Sequence, residues 1–150
     1  MSQSLTRILV HLVYSTKDRR QILQQDHWEK LWAYQAGIYQ DLESPAIIIG
    51  GVADHVHALF NLSKNHSLKT IVEEVKKGSS KWLKTVEGRY STFHWQAGYG
   101  AFSVSASNEQ SVRSYIERQA EHHAKQSFED ELRALFTRHN VEFDERYVWN

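Results

Sequence analysis

The stretch that most constrains this chain is Ile47-Ile48-Ile49-Gly50-Gly51-Val52-Ala53-Asp54-His55-Val56-His57-Ala58-Leu59-Phe60. Its two ends are rich in β-formers. Gly50-Gly51 with Ala53-Asp54 reads as the turn between them, so the stretch predicts an antiparallel hairpin whose second strand runs from His55 to Leu62. Side chains alternate faces along a strand, so His55 and His57 point the same way, with Cβ atoms roughly 6–7 Å apart. Two neutral imidazoles held so by a sheet can grip one divalent cation. An ordinary polar strand face has the same pattern, so the pair needs support from elsewhere in the chain.

The rest of the sequence supplies a frame for that hairpin. Arg7 to Tyr14 is apolar and β-rich enough for a central strand, and the basic turn Lys17-Asp18-Arg19-Arg20 follows it. Trp28, Leu31, Trp32, Gln35, Ile38, Tyr39 and Leu42 recur at helical spacing between Gln25 and Leu42, and Pro45 ends that helix. A second helix starts at Ser67, with Leu68, Ile71, Val72, Val75, Ser79 and Trp82 inward and Lys69, Lys76, Lys77, Lys81 and Lys84 outward. Phe93 to Gln96 and Tyr99 to Val104 form a last strand region, bent at Gly98. Ser107 with Gln110 resembles a capping box for a third helix from about Asn108, and Phe128 to His139 is a further amphipathic helix. The order β-α-β-β-α-β is a split β-α-β of the ferredoxin-like kind. It predicts an α+β fold with an antiparallel sheet, helices on one face and added C-terminal helices. With 150 residues and no linker or repeat, a single domain over 1–150 is expected.

Composition narrows the chemistry. The chain has no cysteine, so any metal must be held by nitrogen and oxygen ligands, and a reducing cytoplasmic setting fits. No apolar run reaches the roughly 18 residues of a membrane span and no signal-peptide pattern opens the chain, so no membrane partner is expected. Net charge is zero but unevenly spread. From Lys64 to Arg89 seven Lys/Arg face three acids, whereas from Ala120 onward four face seven. A basic stripe of that kind suits phosphate contact, and equally describes a solvated helix face.

Tyr115 and Gln119 stand four apart on the third helix and so share a face. Val112, Tyr115, Ile116 and Gln119 also make an ordinary half-buried stripe. A glutamine on such a stripe is unusual, because a buried amide needs partners for both its oxygen and its NH₂ group. A metal ion would be one partner for the oxygen.

Several blocks, in order, resemble the single-tyrosine HUH transposases of bacterial insertion sequences, the IS200-like family with its repeat-associated relatives. They are Val13 to Arg19, Gly51 to Leu59, Lys77 to Trp82, Trp95 to Ser105 and Val112 to His123. The resemblance implies that His55 and His57 are the HUH pair, with Val56 between them. It further implies that Tyr115 is the nucleophile and Gln119 the third metal ligand. Phe60-Asn61-Leu62 departs mildly from the family's more aliphatic strand, which concerns packing and not chemistry.

The implied activity is cutting and rejoining of single-stranded DNA at element ends, through a 5′-phosphotyrosine link and with Mg²⁺ or Mn²⁺ as the ion. The implied partners are single-stranded DNA, with hairpins at the element ends, and a second copy of the chain. In the family the tyrosine helix can serve the partner's HUH site. Lys17, Arg19, Arg20, Lys76, Lys77, Lys81, Arg113 and Arg118 are the candidates for DNA contact. His122 and His123 read as a charged solvent face, with proton assistance as the second reading. The competing account is a domesticated or inactive domain of the same fold that binds DNA hairpins without cutting them.

Overall fold

A computed structural model describes residues 1–150. Four strands, β1 (Leu9–Ser15), β2 (Ala46–Val52), β3 (His55–Asn61) and β4 (Gly100–Val104), form one sheet in the order β2-β3-β1-β4, with every pairing antiparallel. β1 and β3 are central, and both are buried almost along their whole length. Strand alternation sorts their residues into two cores. Val10, Leu12 and Tyr14 of β1 and Val56, Ala58 and Phe60 of β3 face one side. There they pack beneath α1 (Gln25–Asp41) and α2 (Leu68–Val86).

The other side of the sheet carries Leu9, His11, Val13, His55, His57 and Leu59. It is covered by α3 (Glu109–Glu117), α4 (Gln119–His123) and α5 (Phe128–Arg138). The expected helix layer on one face is therefore α1 and α2, and the added C-terminal helices close the opposite face. No helix is long and apolar enough to cross a membrane.

α2 begins where expected: Ser67 caps it, its hydroxyl accepting from the Thr70 N–H at 3.0 Å. Such a cap contributes about 1 kcal/mol. Ser79, a polar residue on the inward stripe, accepts the Trp95 indole N–H at 3.0 Å, which satisfies both groups in the core.

Three local expectations are corrected. The hairpin turn is Ala53-Asp54 alone, because Gly50 and Gly51 stay in β2 and pair with His57 and Val56. Gly50 serves close approach, since a Cβ there would stand 2.8 Å from the Ile116 carbonyl oxygen of α3. The Ser107–Gln110 capping box does not form: a 3-10 turn over Ala106–Asn108 leads into α3, whose N-cap Asn108 makes no side-chain cap bond. The third helix is also broken. Arg118 leaves helical geometry (φ −101°, ψ 23°), so Tyr115 ends up on α3 and Gln119 opens α4.

Candidate active site

His55 and His57 are fully buried on β3, and each ring is oriented through its Nδ1. Asp54 Oδ1 lies 2.7 Å from His55 Nδ1, and His11 Nε2 on the neighbouring strand β1 lies 2.8 Å from His57 Nδ1. A carboxylate accepts hydrogen bonds, so His55 carries a proton on Nδ1 and turns Nε2 inward. With the Nδ1 proton of His57 donated to His11, its Nε2 likewise keeps a lone pair directed into the site.

Tyr115 and Gln119 converge on this pair despite the helix break. The ring of Tyr115 stands 5.7 Å from that of His57, centroid to centroid, within the same chain. Gln119 is buried, and its Oε1 lies 3.0 Å from His55 Nε2. Its Nε2 donates to Glu131 Oε2 at 3.2 Å. The amide NH₂ thus has an acceptor and its oxygen is satisfied when His55 Nε2 carries a proton, which accounts for a glutamine on an inward stripe.

Glu131 and His123 also belong to the site, and the sequence reading missed the first and placed the second in solvent. Glu131, on α5, is 2% exposed. Its Oε1 lies 2.9 Å from His57 Nε2, 2.9 Å from His123 Nε2 and 3.3 Å from His55 Nε2. Its Oε2 accepts the Tyr115 hydroxyl. His123 reaches this carboxylate from α4 while its ring packs 4.3 Å from that of His55, and His122 stacks on Tyr115 at 4.6 Å. The available signal was periodicity. Glu131 falls three residues after Phe128 and four before Leu135, on the buried stripe of its helix.

The electrostatics follow from this crowding. Burial would depress His55, but hydrogen bonds and charge from Asp54 and Glu131 overcome it and raise the group to about 9. For His57 burial prevails over Glu131, and the group falls to about 4. His11 falls to about 3, through burial and the proximity of His57. Burial alone would raise Glu131, yet the histidine hydrogen bonds hold it well below the usual carboxylate range. Tyr115 is raised, first by burial and then by the Glu131 carboxylate, so its phenol is held protonated in this arrangement.

The donor set fits a divalent ion. The nearest ligand atom of each of His55, His57, His123 and Glu131 lies within 4.8 Å of the others. Octahedral coordination at about 2.1 Å places neighbouring donors about 3 Å apart. The separation between His55 Nε2 and Gln119 Oε1 is 3.0 Å. In a metal-free site the inward lone pair of a neutral His55 would face only oxygen acceptors; a proton or a cation must lie between them.

Two clefts flank the cluster. One, of about 280 Å³, is lined by His11, Val112, Tyr115, Arg138 and His139; the other, of about 610 Å³, by Arg19, Trp28, Asp54, His123 and Phe128. The basic candidates are scattered around them. Arg118 is exposed beside Tyr115 and Arg113 is half-buried on α3. Lys17, Arg20, Lys77 and Lys81 are exposed elsewhere. Arg19 is engaged by the C-terminal tail, donating to the Trp149 carbonyl at 3.0 Å and pairing with Glu129 at 3.0 Å. Lys76 is drawn inward, donating to the carbonyls of Gln96 at 2.9 Å and Gly98 at 2.6 Å, and burial lowers it to about 8.

A family model described as "Transposase IS200 like" matches residues 4–119. A candidate transposase from Deinococcus radiodurans R1 has a similar fold, with a TM-score of 0.61 and 21% identity, covering 77% of this chain and 93% of that one. A REP-associated tyrosine transposase bound to a REP hairpin gives a TM-score of 0.60 at 14% identity, covering 82% of this chain and 74% of that one. At those identities the two structures speak for the fold alone. A comparison with curated proteins found no match. The family model spans most of the chain and includes both histidines, the tyrosine and the glutamine, and the protein belongs to the IS200-like transposases.

Proposed function

We propose that this transposase cuts and rejoins single-stranded DNA at the ends of an insertion-type element, with Tyr115 as nucleophile. His55, His57 and Gln119 would hold the divalent ion, Mg²⁺ or Mn²⁺. The observation that carries the reading is the meeting of a phenol, two oriented imidazoles and a buried amide within one chain, with the phenol itself lining a cleft. The tyrosine is already beside the HUH pair, so each chain holds a complete set of reacting groups.

The phenol oxygen of Tyr115 attacks the scissile phosphorus, and the bond from phosphorus to the 3′ oxygen breaks. The 3′ oxygen leaves as a hydroxyl, and the 5′ phosphate stays on Tyr115. A second 3′ hydroxyl reverses the step, so strands are rejoined without another energy source. The bound ion supplies Lewis-acid polarisation of the phosphate. Asp54 and His11 hold the imidazoles in register, and Glu131 holds the Tyr115 hydroxyl beside the imidazole cluster. Arg138 lines the same cleft, and Arg118 stands beside Tyr115. Both are suited to the DNA backbone.

Each tyrosine makes one transfer, so processing both ends of an element calls for two chains, and a homodimer is the expected working unit. The partner is single-stranded DNA with a hairpin near the cut, as suggested by the hairpin bound in the REP-associated relative. The test is incubation of wild type and Tyr115→Phe with labelled single-stranded oligonucleotides from the element ends, in Mg²⁺, Mn²⁺ or EDTA, on denaturing gels. A metal-dependent adduct absent from Tyr115→Phe supports the reading. Tight binding of those ends without an adduct in either metal would instead establish an inactive hairpin-binding domain.

A further inference from the structure

We propose that the C-terminal helices complete the metal centre, with Glu131 Oε1 and His123 Nε2 as ligands beside His55, His57 and Gln119. This rests on the metal-dependent reading above and extends it to two residues from α4 and α5.

The geometry that holds an ion pair in the metal-free protein also suits ligation. Three imidazole Nε2 atoms converge on a single carboxylate oxygen, at 2.9, 2.9 and 3.3 Å. For these to be hydrogen bonds, each of the three nitrogens must carry a proton. His55 already uses its Nδ1 proton for Asp54, so it could donate from Nε2 only as an imidazolium. His57 could do so while neutral only by accepting at Nδ1 from His11. A single cation among the four atoms satisfies all the lone pairs at once, and the separations match neighbouring positions around such an ion. Burial argues the same way. Glutamate is almost never fully buried unless it is paired, and Glu131 is 2% exposed on a helix whose neighbouring stripe is Phe128, Leu132, Leu135 and Phe136.

Two consequences follow. Three imidazoles, one carboxylate and one amide are a donor set that favours Mn²⁺ over Mg²⁺, because imidazole nitrogen binds the former better. Five protein donors would also leave little room around the ion, so that the site would take one scissile phosphate at a time.

The test is calorimetric titration of Mn²⁺ and Mg²⁺ into wild type, Glu131→Gln, His123→Asn and His57→Ala, with visible absorption of the Co²⁺-loaded forms. Circular dichroism verifies folding. Wild type should bind Mn²⁺ at least tenfold more tightly than Mg²⁺. Glu131→Gln should weaken Mn²⁺ binding at least tenfold and alter the Co²⁺ bands. His123→Asn, at a position partly open to solvent, should weaken binding severalfold, and it carries the test if Glu131→Gln does not fold. Unchanged or tighter Mn²⁺ binding in Glu131→Gln and His123→Asn, with binding lost in His57→Ala, overturns the proposal and leaves the HUH centre intact. Unchanged binding in His57→Ala as well overturns the metal-dependent reading itself.

Discussion

Tyr115 on α3 donates its hydroxyl hydrogen bond to Glu131 on α5, so the nucleophile is held by a carboxylate from a different helix. The other oxygen of that carboxylate faces His57 and His123 at 2.9 Å. One buried side chain thus connects the nucleophile to the imidazole cluster.

Because burial and then the Glu131 charge raise Tyr115, removing the charge should lower it. Glu131→Gln is expected to shift the ultraviolet titration of Tyr115, obtained as the difference from a matching Tyr115→Phe protein, toward lower pH. An unchanged titration would show that Glu131 does not govern the phenol.

The supports behind the histidines are as testable as the histidines themselves. Asp54→Ala and His11→Phe each remove the partner of an Nδ1 atom, at 2.7 and 2.8 Å respectively. Changes of this kind typically reduce metal affinity about 10–100-fold. Mn²⁺ titration should show that loss with the fold retained, and wild-type affinity in both variants would refute the orienting roles.

Stability without metal should fall in acid. His11 and His57 are lowered to about 3 and about 4, so between pH 6.5 and 4 the unfolded chain binds more protons than the folded one. Their contribution is present above about pH 6.5 and is lost as pH falls toward their folded values. His55, raised to about 9, acts in reverse: its contribution is full below about pH 6.5 and is lost as pH rises through 9. Melting temperatures in EDTA should therefore peak near pH 6.5. His11→Phe should make the acid limb shallower, and a flat profile from pH 6.5 to 4 would contradict the buried neutral histidines.

Much of the site was legible because strand and helix periods place residues without tertiary knowledge. His55 and His57 share a face by alternation, and Gln119 stood out as an amide on an inward stripe. Other features depended on contacts between distant segments. His11 is the one polar residue in the run from Leu9 to Val13, and only the pairing of β1 with β3 brings it to His57. Glu131 lies in the run Glu129-Asp130-Glu131, where neighbouring acids disguise its inward position. The break at Arg118 and the exact turn at Ala53-Asp54 accompany the packing of α3 and α4 against β2, a long-range contact that local periodicity does not report.

That packing can be probed at Gly50. A methyl group there would meet the Ile116 carbonyl oxygen at 2.8 Å, so α3 must shift or β2 must bend. Gly50→Ala should cost about 1–3 kcal/mol in denaturant unfolding, typical of overpacking, and should reduce adduct formation by displacing Tyr115. Unchanged stability and adduct yield would show that α3 is free to move without consequence.

The most direct test of the account is peptide mass spectrometry of protein incubated with Mn²⁺ and a single-stranded element end, then digested with nuclease and protease. The account predicts a nucleotide 5′-phosphate on Tyr115, absent when EDTA is added and absent from His57→Ala. An adduct on another residue, or one that forms equally well without metal, would contradict it.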